Sequence, residues 1–199
     1  MVRCASLLVF YFLLIGSAKA NTIKTDTVPP AFLIVPGKSI GLSSIGEKTS
    51  TLYKSLGKPS SEDASMGGKG LLTWYSKPVT HGEDTLVNEV EIYYSTPNFG
   101  PAYAVAKAQI IRITSPRFTT REKMGVGTSF KQIKKSFTRL KKAGSYFSSK
   151  AEQYVAVYDD KASGIAFEIS QQQKCVGVAV HNIREDLMTI YRGIYENVQ

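Results

Sequence analysis

Two short runs constrain this chain more than anything else in it. Val90-Glu91-Ile92 and Phe167-Glu168-Ile169 each set a carboxylate between two large apolar residues. Alternation with a period of two belongs to a strand that buries one face and wets the other. Six strand-like runs surround these positions, in two sets of three. The first set is 71–75 (LLTWY), 86–94 (LVNEVEIYY) and 108–113 (AQIIRI), and the second is 154–158 (YVAVY), 165–169 (IAFEI) and 175–183 (CVGVAVHNI). Asp159-Asp160-Lys161-Ala162-Ser163-Gly164 and Gln171-Gln172-Gln173-Lys174 read as polar hairpin connectors, and His81-Gly82-Glu83-Asp84 as the tip of a longer hairpin. The pattern predicts antiparallel sheet with one buried and one wet face.

A helical segment precedes each set. In the first, Leu52, Tyr53 and Leu56 share a face; Ser44 and Glu47 stand at capping-box spacing, and Thr49 or Ser50 are further cap candidates. Gly57 and Pro59 stop it. In the second, Thr128 or Ser129 caps the start, Phe130, Ile133, Phe137 and Leu140 recur at helical spacing, and Gly144 ends the segment. A third helix is expected where Leu187, Ile190, Tyr191, Ile194 and Tyr195 recur. Residues 99–107 read equally as short helix or loop.

The two helical segments also align on Gly46 and Gly127, 81 residues apart, each with an apolar residue before the Gly and Ser/Thr after it. Helix followed by three strands, twice, predicts an α+β fold. It would have two tandem modules, each a short helical segment packed on a small antiparallel sheet, plus a C-terminal helix. The expected boundaries are 21–33 for a polar leader, 34–117 for the first module and 118–199 for the second.

Residues 1–20 read as a secretory signal peptide. Arg3 supplies the basic start, 7–15 (LLVFYFLLI) is an apolar run too short to span a bilayer, and Ala18-Lys19-Ala20 is a small-x-small cleavage site. No Cys follows the apolar run to carry a lipid. Cleavage after Ala20 removes two of the 25 basic residues and none of the 16 acidic ones, so the mature chain stays basic, at +7. The expected location is periplasmic or secreted, with no membrane-spanning segment after cleavage. Nucleic acid is then a poor partner. Cys175 alone survives, so no internal disulfide forms. It reads as a small buried hydrophobe. His181 lies ~20 Å along the same strand, able to share a face with the thiol but not a proton.

Pro36-Gly37-Lys38-Ser39-Ile40-Gly41, Leu56-Gly57-Lys58-Pro59, Trp74-Tyr75, and Gly125-Val126-Gly127-Thr128-Ser129 with Ile133 together resemble the fold shared by β-lactamase inhibitory protein and the SmpA/OmlA (BamE-like) envelope proteins. The likeness spans about residues 34 to 183. It implies two αβ modules whose sheets form one curved surface, and an exported protein that binds proteins rather than catalyses. No inhibitory contact residue carries over, because no contact motif matches.

Chemistry is sparse. His81, His181 and one Cys fall short of any zinc spacing pattern, and Asp159-Asp160 lacks the rest of a calcium loop, so no metal or cofactor is expected. No G-x-S-x-G pentapeptide occurs. Gly125-Val126-Gly127-Thr128-Ser129 reads as a tight turn and cap, and Met66-Gly67-Gly68-Lys69-Gly70 as a connector.

Two surfaces stand out. Trp74, Tyr75, Tyr93 and Tyr94 sit on neighbouring strands, and at least one of each adjacent pair faces away from the helix, where it either anchors a partner or packs under a loop or the C-terminal helix. Lys131, Lys134, Lys135, Arg139, Lys141 and Lys142 form a basic helix over 131–142 with no acid among them. The sequence therefore predicts a non-enzymatic binder of a protein or cell-envelope component through the joined sheets. An electrostatic binder of an anionic surface is the first alternative and an unrecognised hydrolase the second.

Overall fold

A computed structural model describes residues 27–65, 68–81, 84–96, 105–195 and 197–199. The signal peptide, its cleavage site, residues 21–26 of the polar leader and most of the 99–107 segment lie outside the described residues.

The chain opens with a single 3-10 turn, Pro30–Phe32, and three two-residue strands, β1 (Ile34–Val35), β2 (Ser39–Ile40) and β3 (Ser43–Ser44), paired in that order. Helix α1 (Thr49–Leu56) follows. Next come β4 (Ser61–Ser65), β5 (Lys69–Tyr75), the hairpin β6 (Val79–His81) and β7 (Asp84–Leu86), then β8 (Glu89–Ser95) and β9 (Lys107–Ile113). After α2 (Phe130–Ser136) come β10 (Lys141–Ser148), β11 (Gln153–Asp160), β12 (Ile165–Ile169), β13 (Cys175–His181) and α3 (Leu187–Tyr191). Eight strands form one antiparallel sheet in the order β10-β11-β12-β13-β9-β8-β5-β4. The last strand of the first set, β9, pairs with the last strand of the second, β13, through Val178 opposite Ile113 and Val180 opposite Ile111. The fold is mostly β, and α+β describes it only loosely because the helices are short.

Both faces of the sheet are covered. On one, Ile92, Ile111, Ile113, Ile165, Phe167 and Val180 pack beneath Leu52 of α1, Phe130 and Ile133 of α2, and Ile34 and Ile40. On the other, Ile110, Val155, Val157, Ala166 and Ala179 pack beneath Leu187, Met188 and Tyr191 of α3. The expectation of a wet second face is therefore corrected for this part of the sheet: the C-terminal segment supplies a second layer.

The turns before the two helices attach alike. The Gly46 N–H donates to the Ala108 carbonyl and the Gly127 N–H to the Cys175 carbonyl, both at 2.8 Å. In return Ala108 N–H reaches Glu47 and Cys175 N–H reaches Thr128, both at 2.9 Å. Both glycines sit at positive φ, 79° and 89°, where a side chain would be strained.

Several local expectations are corrected. The basic segment 131–142 is not one helix. Ser129 and Gln132 close a capping box at its start, but α2 ends at Ser136, and Lys141 and Lys142 belong to β10. Phe137, at ψ 81°, leaves the helical path, and its ring still reaches Phe167 at 5.0 Å. The same apolar core is thus filled without helical backbone, and Lys141 and Lys142 pair with Asp159 and Tyr158 of β11. Gly144 marks a bulge in β10 rather than a helix end. Ser44 and Glu47 close a turn, with the Ser44 N–H donating to the Glu47 carboxylate; Lys48 precedes α1 and no side chain caps it. The 86–94 run divides between β7 and β8. Strands β4 (SEDAS) and β10 (KKAGSYFS) were not legible, because an edge strand lacks the apolar alternation that marks a central one. Asp159 and Asp160 end β11 and are buried; they are not connector residues.

Candidate functional site

The sheet face under α3 carries a polar layer. Arg112, from β9, is fixed by Glu168 of β12 in a two-point pair, Nε to Oε1 and Nη2 to Oε2, each at 2.7 Å. The two residues stand on strands separated by β13. They meet because Gly177, opposite Glu168 in the register, has no side chain to part them. On the other side the Arg112 Nη1 donates to Glu91 at 2.6 Å and lies 3.6 Å from Glu89, which also holds Lys150 at 3.1 Å.

Three tyrosines close the layer from above. Tyr146 donates to Glu168 Oε2 at 2.9 Å, Tyr191 to Glu168 Oε1 at 2.7 Å, and Tyr195 to Glu91 Oε2 at 2.9 Å. Their rings pack together, Tyr146 stacked on Tyr195 at 4.4 Å and Tyr191 edge-on to Tyr195 at 4.9 Å. The Arg112 guanidinium sits over the Tyr195 ring, 5.7 Å from its centroid. Glu168 is completely buried. Burial alone would push its carboxyl up, but Arg112, with hydrogen bonds from Arg112, Tyr191 and Tyr146, holds it below its ordinary value. Burial raises Tyr146, Tyr191 and Tyr195, and neighbouring carboxylates add to the rise. Burial acts to lower Arg112, yet Glu168 and Glu91 keep it charged.

A second buried pair lies on the same face. His181 Nε2 is 3.0 Å from Asp159 Oδ1, and its Nδ1 is 2.9 Å from the Asn182 carbonyl. Asp159 stands opposite Ala166 of β12, and His181 lies two residues beyond Ala179, the partner of Ala166 on β13, so the pair meets diagonally across β12. Asp159 Oδ2 is buried with no hydrogen-bond partner among the described residues. Both side chains are closed to solvent, at 0% and 1% exposure, so no substrate reaches the imidazole in this conformation. Cys175 packs in the cluster on the opposite face, so it shares no face with His181. Burial raises its thiol.

The aromatic candidates divide between the faces. Trp74 packs toward α1 and its indole N–H donates to the Gly57 carbonyl at 3.1 Å. Tyr94 lies across Gly70, and Gly70 is its partner in the register. Tyr75, 51% exposed, and half-buried Tyr93 stand on the face that bears the polar layer, and Tyr93 packs against the cluster under α3. Lys131, Lys134, Lys135, Lys141 and Lys142 are all exposed. Lys134 lies over the Phe130 ring, and Arg139 is bound to Asp160 at 3.2 Å and to Ser163 at 2.6 Å.

Sequence reasoning missed Arg112, Glu91, Glu168, Tyr146, Tyr191 and Tyr195 as one constellation. A signal was present: Ile111-Arg112-Ile113 repeats the charge-between-apolars pattern of the two glutamate runs with opposite sign. A cation and two anions at strand centres are the composition of a buried, paired layer. Among the described residues no three His, Cys, Asp or Glu side chains gather as a metal site requires, and no helix is long and apolar enough to cross a membrane.

No protein-family model matches the chain, and no curated protein matches it. Among solved structures it is similar to an extracellular protein containing a SCP domain from Bacillus anthracis str. Ames, with a TM-score of 0.42 and 12% identity over 76% of this chain and 47% of that one. It is also similar to a cysteine-rich secretory protein from Staphylococcus aureus subsp. aureus Mu50, with a TM-score of 0.40 and 11% identity over 76% of this chain and 49% of that one. The chain spans about half the length of these structures. The expected likeness to β-lactamase inhibitory protein and the BamE-like proteins is thereby corrected, since the structures found are SCP-domain and secretory proteins. The motifs behind that expectation, glycine turns and a Leu-Gly-x-Pro helix stop, are local chemistry common to many folds.

Proposed function

We propose that this chain is an exported, non-enzymatic binding protein that holds a protein or cell-envelope partner on the open part of its eight-stranded sheet. The observation that carries this reading is the position of Tyr75 and Tyr93. They stand on the sheet face whose neighbouring part is already occupied by α3, and they are not fully covered. Half-exposed tyrosines beside a rigid, paired sheet offer contact area with little loss of side-chain freedom on binding. The closure of the His181–Asp159 pair favours binding over hydrolysis. We also read the fold as two modules. The matching attachments of Gly46 to Ala108 and of Gly127 to Cys175 support that reading.

The test is paired capture. Residues 21–199 and their Tyr75→Ala/Tyr93→Ala variant are immobilised and exposed to a native envelope extract. A discrete protein retained by the first and lost by the second supports the reading; equal retention defeats it. The exported form should also begin at Asn21, which intact mass measurement checks.

The exposed lysines from Lys131 to Lys142 support a second reading, attraction to an anionic surface, because Asp160 neutralises Arg139 and no acid lies within the segment. It requires binding to anionic vesicles that fades as salt rises.

A further inference from the structure

On the sheet face that carries α2, strands β10 and β11 are partly bare. Phe130 of α2 packs on Tyr158 of β11, with ring centroids 4.1 Å apart. Four residues back along β11, on the same face and about 13 Å away, Tyr154 pairs with Phe147 of β10, edge to face at 5.4 Å. Tyr154 is 42% exposed. Between the two ring pairs stand Ala156 and its register partner Ser145, whose side chains are too short to fill the gap. The result is a straight, shallow trough with an aromatic pair at each end, and α2, about 10 Å thick, rises above one of them.

The charge around this trough has one sign. Between residues 131 and 158 the chain has seven cations and one acid, Glu152. Arg139 is bound to Asp160 and Lys150 to Glu89, which leaves five lysines against that acid. Two of them reach the end of the trough at Tyr158. Lys134 lies over the Phe130 ring at 4.6 Å, and Lys142 stands opposite Tyr158 in the register; both are exposed.

We propose that this trough binds an anionic polysaccharide. The inference rests on the anionic-surface reading above and names its ligand. Strand β11 is paired on both sides, by β10 and β12, so the floor offers no open backbone to an added peptide strand. Recognition falls to ring faces and charge. A sugar ring presents an apolar C–H face that packs on an aromatic ring, and its carboxylate or sulfate groups meet the lysines. A linear polymer reaches both at once, whereas a flat bilayer seated on α2 is held off the Tyr154 ring by the thickness of the helix.

The probes are tetragalacturonate and a heparin-derived tetrasaccharide, one carrying carboxylates alone and the other sulfates as well, with the methyl ester of tetragalacturonate as the uncharged control. Each is titrated into the isotope-labelled mature protein and followed by amide chemical shifts; phosphatidylglycerol vesicles are tested in parallel by co-sedimentation. The expected result is saturable shifts at Ser145, Phe147, Tyr154 and Ala156 with a charged tetrasaccharide, weakening as salt rises, and far weaker ones with the ester. Tyr154→Ala, at an exposed position, should weaken binding about tenfold with the fold intact. Lys134→Gln and Lys142→Gln should each weaken it about threefold and lessen the salt dependence. Equal binding of the ester, shifts confined to other surfaces, or an affinity unchanged by Tyr154→Ala overturn the proposal. Vesicle binding without saccharide binding overturns the trough and leaves the anionic-surface reading standing. Failure of every charged probe overturns both.

Discussion

Gly177 stands opposite Glu168 in the β12–β13 register, and a Cβ at Gly177 would overlap the Glu168 carboxylate. That missing side chain is what lets Arg112 reach across β13. Gly177→Ala should therefore separate the Arg112–Glu168 pair and destabilise the fold by about 3 kcal/mol, from overpacking together with a disturbed buried ion pair. Chemical denaturation measures it. In a Glu168→Ala background the same substitution should have a much smaller effect, because the clash is then gone.

Stability should decline at both ends of the pH range. Glu168 is held below its ordinary value, so its contribution is present above the unfolded carboxylate value of about 4.3 and is lost as pH falls through the folded one. Tyr146, Tyr191 and Tyr195 are raised, so their contribution is present below the unfolded tyrosine value of about 10 and is lost as pH climbs past it. Urea titrations across the pH range should show both declines. Tyr191→Phe should flatten the alkaline one, since it removes one phenol that must ionise. A decline as steep as in the unsubstituted chain would count against this account.

The His181–Asp159 pair should behave as a coupled unit. Asp159→Ala strands a buried imidazole nitrogen, and a loss of about 1–3 kcal/mol follows from the unmet hydrogen bond. The double variant with His181→Phe should be less destabilised than the sum of the single ones. A double-mutant cycle reads the difference directly. Strict additivity would mean that the contact contributes nothing.

Cys175 should resist modification in the native state. Its side chain is buried, burial raises the thiol, and its Sγ lies 3.2 Å from the Gly177 carbonyl. An aromatic disulfide reagent should react at a rate set by unfolding, and rapidly only in denaturant. Prompt reaction in native buffer would show that this end of β13 opens locally.

What the sequence by itself determined is the central strand pattern and a second helix with its cap at Thr128 or Ser129; the structure places the cap at Ser129. Those features depend on neighbours within a few residues: alternation along a strand, or a hydroxyl just ahead of an apolar run at helical spacing. The edge strands β4 and β10 escaped detection because an edge has solvent on it and no apolar period to show. The extent of α2 escaped it as well. Phe137 and Leu140 satisfy helical spacing, yet they reach the core from non-helical backbone once β10 pairs with β11. Tertiary structure alone decided the polar layer. Arg112, Glu168, Glu91 and three tyrosines come from strands and a C-terminal segment far apart in the chain. Only the β9–β13 junction brings them to one face. A carboxylate between two apolar residues looks the same in sequence whether its face meets water or a second layer. What covers the face decides whether that charge must be paired.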